Sequence, residues 1–117
     1  MISLHKPAKL ANLIREEVAR ILNRDITFPA HALVTVTRVV LSSDKYYATV
    51  FISIIQANSQ EILTLLDEEI YMIQHAFNKR LRMRPVPKIR FKLDREEVLR
   101  ENIEASLAKL KQEEHDE

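Results

Sequence analysis

The chain has 117 residues, of which 46% are hydrophobic and 30% charged, and its formal net charge is +1. That length suits a single compact domain spanning 1–117, with enough apolar residues for a real core. Cysteine and glycine are both absent, which excludes disulfides, thiolate metal sites, Walker A loops and GxGxxG turns. Apolar runs are too short for a transmembrane helix. The first residues, MISLHKPAKLANLIREE, lack the apolar stretch of a signal peptide. The expectation is a cytoplasmic protein with no membrane partner.

Residues 8–23, AKLANLIREEVARILN, place Leu10, Leu13, Ile14, Val18, Ile21 and Leu22 at helical spacing. Pro7 sits where a helix starts without losing a hydrogen bond, and Pro29 lies in the loop that follows. Residues 33–41, LVTVTRVVL, are dominated by β-branched side chains and predict a strand. Ser42-Ser43-Asp44-Lys45 is a turn without glycine, and YYATVFISII resumes the strand over 46–55. Ala48, Val50, Ile52 and Ile54 alternate on one face, and Tyr47, Thr49, Phe51 and Ser53 on the other. Two strands around a short turn make an antiparallel hairpin.

Ser59 is placed to cap the next helix, whose stripe is Ile62, Leu65, Leu66, Ile70, Ile73 and Phe77. The pattern decays over 78–83, and Asn78, which tolerates a left-handed backbone, marks a bend or break somewhere between Glu69 and Met83. Pro85 and Pro87 stop the helix. KIRFKL at 88–93 alternates cleanly, with Ile89, Phe91 and Leu93 opposite Lys88, Arg90 and Lys92. Residues 95–112 return to helical spacing through Val98, Leu99, Ile103, Leu107 and Leu110, and the acidic end QEEHDE is expected to fray. The chain is therefore α+β in the order α-β-β-α-β with a C-terminal helix. Its three-stranded sheet is covered by helices on one face.

Charge is unevenly spread. Residues 1–92 carry 14 Lys and Arg against 8 Asp and Glu, a net +6; residues 93–117 carry 4 against 9, a net −5. The positive charge concentrates in NKRLRMRPVPKIRFKLD, residues 78–94, where Lys79, Arg80, Arg82, Arg84, Lys88, Arg90 and Lys92 stand together before the first acid, Asp94. Clustered cations suit phosphate contact, which needs charge more than precise geometry. Leu81 and Met83 alternate with Arg82 and Arg84, so the apolar pair can anchor while the guanidiniums face out. The plainer reading is a basic edge strand protected against aggregation, yet that does not require four further cations upstream.

The order of elements resembles the type II KH arrangement, and four stretches go further. LIREEVARILNRDITFP, LVTVTRVVLSSDKYYATVFISI, NKRLRMRPVPKIRFKLD and DREEVLRENIEASL together resemble the ribosome-binding factor A family over roughly residues 8–110. The chain departs from that family's pattern at Asn78, where the family usually has glycine, and at Glu69-Ile70-Tyr71, the counterpart of an Ala-x-Gly kink. It departs again at Phe28-Pro29-Ala30, the counterpart of Asp-Pro-Arg. The resemblance implies a non-enzymatic factor that acts as a monomer. It implies binding to the immature small (30S) ribosomal subunit and its 16S rRNA, and support for late maturation, including processing of the rRNA 5′ end.

Other classes are weighed against this one. A non-catalytic interaction module would use the same basic patch to bind an acidic protein. A metal-dependent nuclease would need a ligand cluster, but His5, His31, His75 and His115 show no ligand spacing and no HExxH occurs. No cofactor site and no catalytic constellation is read. Tyr47 and Phe51 are expected to pack, with the last helix as their cover, in preference to stacking bases.

Overall fold

The computed structural model describes residues 7–95. Six elements follow one another: α1 (Pro7–Asp25), β1 (Leu33–Leu41), β2 (Tyr47–Ile55), α2 (Ser59–Glu68), α3 (Ile70–Arg80) and β3 (Lys88–Leu93). The sheet order is β1-β2-β3. The hairpin strands pair antiparallel and β3 joins β2 in parallel. The expected strands and helices are all present, apart from the C-terminal helix, which lies outside the described residues beyond Arg95.

The helices share one face of the sheet. Leu10, Ile14, Val18 and Ile21 of α1 meet Val36 and Val39 of β1, Ala48, Val50 and Ile52 of β2, Ile62 and Leu66 of α2, Ile73 and Phe77 of α3, and Ile89 of β3 in one buried cluster. Each fully buried aliphatic or aromatic side chain contributes on the order of 1.5–3 kcal/mol of burial, so this cluster drives the fold. The opposite face of the sheet carries the other half of each strand's alternation.

Two irregularities decide which side chains reach which face. In β1, Val36 pairs with Ile52 but Arg38 pairs with Phe51, so Thr37 is an extra residue in a β-bulge. The bulge resets the alternation, and Val36 and Val39, three apart, both enter the core. Arg38 and Val40 are turned onto the open face. The second irregularity is the bend or break expected between Glu69 and Met83, which falls at the first residue of that window and divides the helical region in two. Glu69 (φ −96°, ψ 7°) closes α2 and opens α3.

Two local expectations are corrected. The residue that caps α2 is Asn58, whose Oδ1 accepts from the Glu61 N–H at 3.1 Å; Ser59 is already the first helical residue. Asn78 lies inside α3, accepting from Gln74 Nε2 at 3.0 Å, so the break at Glu69 owes nothing to it. The left-handed positions among the described residues of this glycine-free chain are His31, Lys45 and Gln56.

Candidate nucleic-acid interface

The basic segment is held by its apolar residues. Leu81 ends α3 and is 4% exposed, while Met83 and Val86 pack against the core and Pro87 is fully buried. Between these anchors Arg82 and Arg84 are exposed, as are Lys79 and Arg80 on the last turn of α3 and Lys88, Arg90 and Lys92 on β3. All seven residues singled out from sequence thus face solvent. They occupy three settings: a helix end, a loop, and the open face of an edge strand.

Their neighbours differentiate them. Arg84 Nη1 donates to the carbonyls of Leu81 (2.9 Å) and Met83 (2.8 Å), so this side chain also closes its own loop. Its Nε and Nη2 lie on the other edge of the guanidinium. Arg80 faces the end of α1: the Asp25 carboxyl is held below its ordinary value first by hydrogen bonding from Arg24 and, at longer range, by the charge of Arg80. Arg90 lies 4.1 Å from the centroid of the Tyr47 ring, one strand away. Arg82, Lys79, Lys88 and Lys92 have no such side-chain contact among the described residues and stand as the most available cations of the segment.

Strand β3 is positioned from both edges. On one side the Lys88 N–H donates to the Tyr46 carbonyl (2.8 Å) and the Asp94 N–H to the Ile52 carbonyl (2.8 Å), extending the ladder with β2 at both ends. On the other, Gln74 of α3 replaces a missing strand. Its Oε1 accepts from the Ile89 N–H (2.9 Å) and its Nε2 donates to the Pro87 carbonyl (3.0 Å).

A second constellation on the open face was not legible in the sequence. Arg38 of β1 lies 3.9 Å from the Phe51 ring centroid and reaches Asp94 Oδ2 at 3.6 Å. The Thr37 hydroxyl also donates to Asp94 Oδ2. Asp94 is 3% exposed. Tyr47 and Phe51 are therefore each packed under a guanidinium from a neighbouring strand, as expected for packing, but through arginine rather than a helix among the described residues. Only the strand register, which local pattern does not reveal, brings Arg38 to Phe51 and Arg90 to Tyr47. Among the described residues, no group of three or more His, Asp or Glu side chains is arranged to hold a metal.

The chain carrying this architecture matches a known family. The family model of ribosome-binding factor A matches residues 6–107. The chain belongs to the ribosome-binding factor A family. Ribosome-binding factor A of Desulforamulus reducens is 34% identical over 92 residues, covering 77% of each chain. That of Thermomicrobium roseum is 33% identical over 111 residues, covering 93% of this chain and 86% of the relative.

Solved structures agree on the fold. The crystal structure of ribosome-binding factor A from Thermus thermophilus superposes with a TM-score of 0.68 at 23% identity, covering 75% of this chain and 96% of that one. A homology model of the Thermus thermophilus factor, as fitted into a cryo-electron-microscopy map of its complex with the 30S subunit, superposes with a TM-score of 0.65 at 25% identity. It covers 75% of this chain and 94% of that chain.

Proposed function

We propose that this chain is an assembly factor of the small ribosomal subunit, acting in the cytoplasm as a monomer without a catalytic step of its own. It binds the immature 30S particle, contacts 16S rRNA, and assists late maturation, including processing of the rRNA 5′ end. Membership of the ribosome-binding factor A family supports this reading, as does the Thermus thermophilus relative in its 30S complex. The observation that carries the assignment of the contact surface is the exposure of all seven cations from Lys79 to Lys92 around the buried anchors Leu81 and Ile89. Such a segment meets the phosphate backbone with charge, and arginine adds the capacity to stack on an unpaired base.

Gradient sedimentation tests this. The protein is expected to travel with free immature small subunits, and Arg82→Ala with Arg84→Ala to shift it toward the top of the gradient. A double variant that is folded and sediments with small subunits as well as its parent at every salt concentration would move the contact surface elsewhere, with α1 and its Lys9, Arg15 and Arg20 next in line.

A further inference from the structure

Helix α3 has one face in the core and one in solvent. Ile73 and Phe77 are buried, and Ile70, Met72 and Ala76 pack against the core. On the other side Tyr71, His75, Asn78 and Lys79 are exposed, at positions i, i+4, i+7 and i+8 of one helix face. Tyr71 is 88% exposed, more than any other large hydrophobic side chain among the described residues; the next, Leu33, is 58% exposed. A single exposed aromatic is common. What distinguishes Tyr71 is the row it heads.

Each member of that row is of a kind that meets single-stranded RNA. Tyrosine and histidine offer ring faces on which an unpaired base can stack. The Asn78 Oδ1 accepts from Gln74 Nε2, so its amide nitrogen remains to donate. Lys79 adds charge, and the exposed Arg82 follows on the loop. From Tyr71 to Lys79 the helix rises about 12 Å, so the rings and the cations lie within reach of one short strand. No acid stands in the row. Asp67, Glu68 and Glu69 all precede it, at and before the break between α2 and α3.

We infer that Tyr71 and His75 form a base-stacking platform that extends the RNA path of the basic segment along the outer face of α3. Tyr71 stacks on an unpaired base, His75 carries its neighbour, and Lys79 and Arg82 hold the phosphates that follow. The acids at the end of α2 repel phosphate and close the path at Tyr71. This rests on the RNA contact proposed above and gives it a selectivity that cations lack. Charge attracts any strand, whereas a ring platform rewards bases that are free of pairing. An RNA duplex, whose bases are already stacked, gains nothing from it.

The test titrates the full chain with oligouridylate and with an abasic ribose-phosphate oligomer of the same length, which keeps the phosphates and removes the ring faces. Tyr71→Ala should weaken oligouridylate binding roughly fivefold or more, the lower end of what one stacked base is worth. It should leave both the abasic affinity and the salt dependence unchanged. Tyr71→Phe should bind like the parent, and His75→Ala should show a smaller loss on oligouridylate alone. Arg82→Ala, by contrast, should weaken both probes and flatten the salt dependence. If Tyr71→Ala matches the parent on oligouridylate while Arg82→Ala does not, the platform is overturned and the RNA contact stands. If the parent binds neither probe, both are overturned. An equal loss of Tyr71→Ala on the two probes overturns stacking, and an unchanged His75→Ala overturns the share of His75. Loss of small-subunit binding by Tyr71→Ala with full oligouridylate affinity assigns Tyr71 to a protein of the subunit and likewise overturns the inference.

Discussion

Gln74 stands out at the level of single residues because one amide completes an edge. Strand β3 has β2 on one side only, and its outer backbone groups need partners wherever they are shielded from water. The Gln74 side chain supplies both kinds, accepting from the Ile89 N–H and donating to the Pro87 carbonyl. Gln74→Ala should therefore cost about 1–3 kcal/mol, the range for leaving shielded backbone groups unpaired. Urea unfolding measures the loss, and amide exchange at Ile89 localises it. Unchanged exchange there would mean that Gln74 is not what protects the strand. The three left-handed residues matter at the same scale. His31, Lys45 and Gln56 each hold a backbone that disfavours a side chain by roughly 1–2 kcal/mol. A glycine-free sequence accepts that cost at its turns.

The hairpin turn shows how an element is fixed without glycine. The Ser42 hydroxyl donates to Asp44 Oδ1 at 2.6 Å while accepting from the Tyr47 N–H at 3.0 Å, and the same carboxylate oxygen accepts from the Tyr46 N–H at 3.0 Å. These bonds hold the Asp44 carboxyl below its ordinary value, the Ser42 hydroxyl first and the Tyr46 N–H second, with desolvation opposing them. A depressed folded value means that Asp44 stabilises the fold fully above the unfolded carboxylate pKa, and that this contribution fades as pH falls through the folded one. The difference in urea midpoint between the parent and Asp44→Ala should thus be widest near neutrality and shrink in acid. A gap that stays constant down to about pH 2, below nearly all carboxylate values, would show that the charge plays no part.

Elements were largely legible in the sequence because period and punctuation were strong. KIRFKL alternates without exception, and β3 occupies those six residues. What stayed hidden depended on contacts between distant residues. The bulge at Thr37 is stabilised by Phe51 and Asp94, 14 and 57 residues away. Nothing in LVTVTRVVL marks it except that Val36 and Val39 are out of phase. The break at Glu69 is local but ambiguous. Asp67 and Glu68 sit unfavourably at the negative end of α2 while Glu69 suits the positive start of α3, so the local charges do not decide it, and Ile70 and Ile73 keep the helical spacing across the break.

At the scale of the whole molecule, net charge is a poor guide to what the chain binds. The +1 of the full sequence conceals a basic body and an acidic end, and counterion release responds to local phosphate contacts, not to the sum. Each cation that meets a phosphate should add roughly −0.7 to the slope of log affinity against log salt on single-stranded RNA. The structure ranks the contributions. Arg82, exposed on its loop, should account for one full contact, so Arg82→Ala should flatten the slope by about 0.7. Arg38, on the far strand with its guanidinium over Phe51 and beside Asp94, should contribute none, and Arg38→Ala should leave the slope unchanged while lowering stability. Titrations of oligouridylate at several salt concentrations separate the two. If Arg38→Ala flattens the slope and Arg82→Ala does not, the RNA path runs over the open sheet rather than along the loop between α3 and β3.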